Sequence, residues 1–190
     1  MEPLSTRDGV PLVKTLTLLR HAKSGLDDAG MRDVDRPLNA KGRRAAAMVG
    51  RHLRSLGLGF DHVVASPAVR VQETLAEVAG GLGVALDPAI DRRIYLASAA
   101  TLLDVVHDLP AAADRVLLVG HNPGLEDLVL TLVADGAGPL RDEVERKYPT
   151  ASVAAMTLAS DWPAAASGGA TLTRFIRPRD LDPTLGPDAD

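Results

Sequence analysis

The chain has 190 residues, 46% apolar and 24% charged, the make-up of one globular domain with a single core. Only 3% are aromatic and the formal net charge is -4, so the core is aliphatic, and neither base-stacking platforms nor a duplex-binding basic face is expected. There is no Cys, which excludes disulfides, thiolate nucleophiles and Cys-bound zinc.

Residues 1–13 read as a loose polar lead-in, with Pro3, Gly9 and Pro11 and no apolar run of signal-peptide length. No stretch approaches the roughly 20 apolar residues that span a bilayer. A soluble cytoplasmic protein is the expectation.

Thr15 to Arg20 is an apolar strand that stops on Arg20-His21. Gly25 to Pro37 follows as an acidic loop without a period, carrying Asp27, Asp28, Asp33 and Asp35. Asp35 and Arg36 are expected to pair and shape it. Asn39 can cap a helix whose stripe is Ala45, Met48, Val49, Leu53 and Leu56, with Gly57 and Gly59 as stops. His62 to Ala65 is a second strand. Ser66-Pro67 has the form of an N-cap and first-turn proline, opening a helix with Val71, Leu75, Val78, Ala79 and Leu82 at helical spacing. Gly80, Gly81 and Gly83 are expected to fray its end.

Val84 to Leu86 is a candidate short strand, and Thr101 to Leu109 a helix ended by Pro110. Arg115 to Gly120 is the second strong strand. His121-Asn122-Pro123-Gly124 leads into a third helix with Leu125, Leu128, Val129, Leu132 and Val133, with Asn122 and Pro123 as its cap and first turn. Asp135 to Pro149 is a charged connection with room for a short solvated helix. Ser152 to Leu158 and Thr171 to Ile176 are closing strands able to pair as a hairpin. The single domain covers residues 14–177, and the Pro- and Asp-rich tail, 178–190, reads as disordered. Alternating strands and helices predict an α/β layered fold with a largely parallel sheet and an antiparallel edge.

Three strand-to-helix corners carry reactive or cationic residues: Arg20-His21, Ser66-Pro67-Ala68-Val69-Arg70 and Gly120-His121-Asn122-Pro123. In a parallel sheet such corners share the carboxyl edge, where ligands bind. Each alone reads equally as a side chain capping a carbonyl or facing solvent. Together they have the chemistry of a phosphate pocket. Two guanidiniums fit phosphate oxygens, two helix N-termini add positive potential, and a neutral imidazole attacks phosphorus at pH 7. Lys23 and Ser24 lie within reach of the same corner. His52, His62 and His107 have no partner motif, and no His-Glu-x-x-His pattern marks a metal site.

Leu19-Arg20-His21-Ala22 resembles the Arg-His-Gly/Ala signature of the histidine phosphatase (phosphoglycerate mutase-like) superfamily. Ser66-Pro67-Ala68-Val69-Arg70 resembles its Ser-Pro-x-x-Arg segment, and Gly120-His121-Asn122-Pro123 its second-histidine motif. Asp35-Arg36-Pro37-Leu38, Lys41-Gly42 and Tyr148-Pro149-Thr150-Ala151 resemble the small SixA-type branch, known for phosphohistidine phosphatase activity. The resemblance covers about Thr15 to Ile176. It implies a three-layer sandwich, a largely parallel sheet flanked by helices, and catalysis without metal or cofactor. It also implies a phosphorylated substrate, such as a phosphohistidine-bearing protein, and no nucleic acid or membrane partner. His21 would take the phosphoryl group, Arg20 and Arg70 would hold its oxygens, and His121 would donate a hydrogen bond to it. Ser24 and Lys23 are further candidate phosphate ligands.

Many members of the superfamily add a carboxyl general acid. Asp91 is one candidate here, with Glu73 and Glu126 as rivals that serve equally as helix-dipole partners. Weak acid provision favours an N-phosphoryl substrate, because an imidazole leaves near neutral pH with little help. Only Leu82 to Asp114 separates the Arg70 helix from the next strong strand, leaving little room for a lid. Two alternatives stay open: a small-metabolite or nucleotide phosphatase, and a noncatalytic phosphate-binding module.

Overall fold

The structure, a computed structural model, describes residues 6–7, 10–11, 13–25 and 30–186. Of the acidic loop, Asp27 and Asp28 lie outside the described residues, as do tail residues 187–190. In the lead-in, β1 (Thr6–Arg7) pairs antiparallel with β2 (Val10–Pro11).

The centre is a six-stranded sheet. Its strands in chain order are β3 (Lys14–Arg20), β4 (His62–Ala65), β5 (Ala89–Ile90), β6 (Arg115–Gly120), β7 (Val153–Leu158) and β8 (Ala170–Ile176). Their spatial order is β5-β4-β6-β3-β7-β8. The strands from β5 to β3 run parallel; β7 pairs antiparallel with β3, and β8 antiparallel with β7. The expected mixed sheet is thus present, with its antiparallel pair at one edge.

The central strands are buried on both faces, as their unbroken apolar runs require. The period of two then sorts each strand between two layers. Leu16, Leu18, Val116 and Leu118 face a layer built on α3 (Ala99–His107), α4 (Gly124–Leu132) and α5 (Pro139–Arg146). Leu19, Leu117 and Val119 face α1 (Ala40–Ser55) and α2 (Val69–Leu82). The result is the three-layer sandwich. No helix among the described residues is long and apolar enough to cross a membrane.

Asn39 caps α1 as expected, its side chain accepting from Gly42 N. Several other expectations need correction. The Ser66-Pro67 pair does not cap α2; the N-cap is Ala68, without a side-chain bond. Gly80 and Gly81 do not fray that helix, because they lie inside it, and Gly83 ends it in the left-handed region at φ 80°. A Cβ on Gly81 would strike the Ala47 carbonyl of α1, and one on Gly50 the Val78 carbonyl of α2. The two glycines let the helices touch backbone to backbone. Val84 to Leu86 is not a strand; Val84 is exposed, and the edge strand is Ala89–Ile90 instead. Nor does Asn122 cap α4, whose N-cap is Pro123.

The described part of the tail is ordered rather than disordered. It forms α6 (Pro178–Leu181) and a 3-10 turn, Pro183–Leu185. Leu185 is buried against the α1–α2 layer, and Lys41 Nζ donates to Gly186 O. A low-hydrophobicity segment is held here by a few apolar anchors, Pro178, Leu181 and Leu185, and by hydrogen bonds that composition does not reveal.

Candidate active site

Sheet register assembles the site. In the parallel ladder Arg20 stands opposite Gly120, so the next residue of each strand, His21 and His121, emerges beside the other. Their ring centroids are 5.2 Å apart. On the other side of β6, Ala65 stands opposite Val119, which puts Ser66 next to His121. Arg70 lies in the first turn of α2 and is 3% exposed.

His21 Nδ1 is 2.8 Å from the Ala22 carbonyl. A carbonyl only accepts, so Nδ1 carries the proton and Nε2 keeps its lone pair. Burial, followed by the charges of Arg70 and Arg20, lowers the His21 pKa to about 4. The ring is therefore neutral at pH 7. Ala22 N donates to Thr74 Oγ1 at 2.9 Å, fixing the loop that orients the ring.

His121 is buried between two groups. Its Nε2 is 2.8 Å from Ser66 Oγ, and its Nδ1 is 3.4 Å from Arg70 Nη2. A guanidinium only donates, so in this arrangement Nδ1 accepts and Nε2–H donates to Ser66. Burial, then His21 and Arg70, lowers the His121 pKa to about 3. The serine hydroxyl can donate as well as accept, so it can hold either tautomer of the ring.

Arg20 Nη1 donates to Tyr148 O at 2.7 Å, and its charge bears on both imidazoles. Its Nε is buried with no hydrogen-bond partner among the described residues. The Tyr148 to Ala151 segment closes this corner. Tyr148 OH donates to Leu18 O, and Ala151 N donates to the carbonyls of both Arg20 and His21. Arg20, His21, Arg70 and His121, drawn from three corners, thus share one place.

The structure adds residues that the sequence analysis did not single out. Asp33 Oδ2 accepts from Arg70 Nη2 at 2.9 Å and from Tyr95 OH at 2.6 Å, while Asp33 O accepts from Arg70 Nη1 at 2.6 Å. Arg36 Nη1 donates to Asp33 Oδ1. The Tyr95 bond, with help from Arg70 and Arg36, holds the Asp33 pKa down to about 2. The Tyr95 ring meets His121 edge-on at 5.4 Å. The expected Asp35–Arg36 pair is replaced by two interleaved ones, Arg32–Asp35 and Arg36–Asp33, at 2.7 and 3.0 Å. Only a carboxylate in an acidic run signalled Asp33, and nothing in the sequence separates it from its neighbours.

The candidate acids sit elsewhere or are occupied. Asp91 accepts from the backbone and side chain of Arg93, which lower its pKa. Glu73 accepts from Leu38 N at 2.6 Å and from Arg43 at 2.9 Å. Glu126 accepts from Asn122 Nδ2, and burial, then Asp127, raises its pKa. Ser24 Oγ accepts from Arg36 at 3.1 Å. Lys23 is exposed at the rim.

Comparison with known proteins agrees with this geometry. Residues 16–94 match the family model of the histidine phosphatase superfamily, branch 1. An uncharacterised protein of Mycobacterium tuberculosis is 31% identical over 163 residues, covering 85% of this chain and all of that one. The structure of a putative phosphohistidine phosphatase SixA from Nakamurella multipartitia superposes with a TM-score of 0.77 at 32% identity, covering 87% and 96% of the two chains. A protein histidine phosphatase SixA complexed with tungstate shares the fold, at TM-score 0.73 and 22% identity, over 88% and 99%. From the register-paired histidines, the two arginines and these likenesses together, the chain belongs to the histidine phosphatase superfamily and is a phosphatase with the SixA-type fold.

Proposed function

We propose that the enzyme works through phospho-His21 and that its substrate is an N-phosphoryl group, phosphohistidine on a protein or peptide. The observation that carries this reading is the His21 tautomer. With Nδ1–H bound to Ala22 O, the Nε2 lone pair is the nucleophile and needs no base. The phosphohistidine reacts with its other ring nitrogen protonated, so Nε2 attacks phosphorus as the P–N bond breaks and the departing ring leaves as a neutral imidazole. Arg20 and Arg70 balance the charge on the equatorial oxygens. Water then attacks phospho-His21, releasing inorganic phosphate and returning the neutral ring.

In this scheme His121 serves the transferring group from Nδ1. Ser66 Oγ–H donates to Nε2, and the ring proton moves to Nδ1, where it meets the developing charge. Ser66 is a positioning residue for that exchange. Asp33 occupies Arg70 until a phosphoryl group, with more charge and more acceptors, replaces its carboxylate.

Leaving-group chemistry supports the N-phosphoryl substrate. Asp91 and Glu73 are committed to arginines, and Asp33 is ionised far below neutral pH. None of the three is a ready proton donor, which leaves Glu126, its pKa raised by burial and its carboxyl bound to Asn122 Nδ2, as the remaining candidate donor. An alkoxide requires one, while an imidazole with an ordinary pKa near 6.5 barely does.

Rapid quench with a phosphohistidine peptide labelled at phosphorus tests the reading. The expected result is an acid-labile phosphoenzyme, absent in His21→Ala, and a kcat/KM above that for sugar phosphates and nucleotides. A higher kcat/KM for a sugar phosphate would transfer the site to small metabolites. Absence of any phosphoenzyme would remove the mechanism.

A further inference from the structure

Arg20 is aimed by a backbone carbonyl. Among the described residues its guanidinium has one hydrogen-bond acceptor, Tyr148 O, reached from Nη1 at 2.7 Å. The same carbonyl accepts a second bond, from Asn122 Nδ2 at 3.2 Å, and that amide nitrogen also donates to Glu126 Oε2 at 2.9 Å. Tyr148 is fixed by its buried hydroxyl, which donates to Leu18 O at 2.8 Å. Arg20, Tyr148, Asn122 and Glu126 thus form one chain of contacts, from the end of β3 to the first turn of α4.

Donor count sets the direction of this chain. A carbonyl and a carboxylate both accept, so the Asn122 amide must turn its nitrogen to them, and both of its N–H groups are used. Its Oδ1 is then buried without a partner among the described residues, a cost that the two nitrogen bonds offset. Glu126 therefore enters as an acceptor. Burial, then Asp127, raises its pKa, against Arg20, Asn122 and the Tyr148 backbone, which favour the charged form. Arg20 in turn feels the charge of the carboxylate. Without that carboxylate the amide loses one of the two acceptors that fix its nitrogen, and the carbonyl that aims Arg20 loses a support.

We propose that Glu126 is a positioning residue for Arg20, acting through Asn122 and the Tyr148 carbonyl rather than on the reacting atoms. The proposal rests on the phosphatase reading, in which Arg20 holds phosphoryl oxygens, and it gives Glu126 a role other than proton donor.

A double-mutant cycle between Glu126 and Arg20 tests it. With p-nitrophenyl phosphate, Glu126→Ala should lower kcat/KM about tenfold in wild type but by less than about twofold in Arg20→Ala. Glu126→Gln, which keeps an oxygen for the Asn122 amide, should recover most of the loss. The loss should be the same for phenyl phosphate, which has the poorer leaving group, because the positioned guanidinium acts on the phosphoryl oxygens. An equal loss in both backgrounds, the mark of a helix-start role alone, overturns the proposal. So does a Gln variant as slow as Ala with a larger loss for phenyl phosphate, the mark of a proton donor. The same cycle, read as the Kd of inorganic phosphate by titration calorimetry, needs no turnover. If no phosphoenzyme forms with any substrate, the phospho-His21 mechanism falls. Coupled losses of phosphate affinity would still support the Glu126–Arg20 link, and additive ones would overturn it.

Discussion

The two ends of β3 each carry a cation, and the cations are treated differently. At the start, Lys14 is 2% exposed. Its ammonium donates to Ala111 O, Ala113 O and Asp114 Oδ1 at 2.7, 2.8 and 2.9 Å, and lies 5.7 Å from the centre of the Trp162 ring. A lysine has three donors, and here all three are used. At the other end Arg20 bonds Tyr148 O and keeps a buried Nε with no partner among the described residues. A saturated cation ties elements together, and an unsaturated one is available to an anion. Burial alone does not tell the two apart; the count of satisfied donors does.

The most severe way to break this comparison is at the functional end. His21→Ala should lower turnover by about 10⁴-fold or more, measured with labelled substrate, because it removes the proposed nucleophile. Arg70→Ala and Arg20→Ala should each cost about 10²–10³-fold in kcat/KM, with a melting temperature little changed for Arg20. Lys14→Met should do the reverse. Activity per folded molecule should stay within about twofold, while stability to urea drops by about 2–4 kcal/mol, since two carbonyls and Asp114 lose their donor. A Lys14 variant with normal stability and poor turnover would invert the assignment of the two ends.

Smaller effects sharpen it. Ser66→Ala should lower kcat about tenfold and leave KM nearly constant, since it removes the group that holds the His121 tautomers. Acid should act on both histidines. The His21 pKa is lowered to about 4, so kcat/KM for the free enzyme should hold level below pH 6.5 and fall only as pH approaches about 4. Between those values the unfolded chain binds protons that the folded rings refuse. Stability should therefore decline as pH drops through that window, and urea titrations at several pH values check it. Asp33→Asn should be the mildest, with product phosphate inhibiting several-fold more tightly, because a weaker competitor then sits on Arg70.

Much of this was legible before any coordinates. The Arg115–Gly120 strand has the predicted bounds, since an apolar run ended by Gly has few other fates. The three corners were readable too, because a parallel sheet forces its carboxyl ends to one edge. The helix α2 start was misread. Ser66 looks like a cap, but its hydroxyl is drawn to His121, 55 positions away, and local propensity carries no record of that. Asp33 and Tyr95 were missed for the same reason, as their bond joins an aperiodic loop to a turn 62 positions on.

Sequence by itself determined the alternation of strands and helices, the largely parallel sheet and which side chains stand at its three corners, because these follow from periodicity and from residue type. Tertiary structure alone decided which nitrogen of each histidine carries its proton and which carboxylate rests on Arg70. Those are properties of contacts between residues remote in the chain, and only the closed fold brings them within hydrogen-bond range.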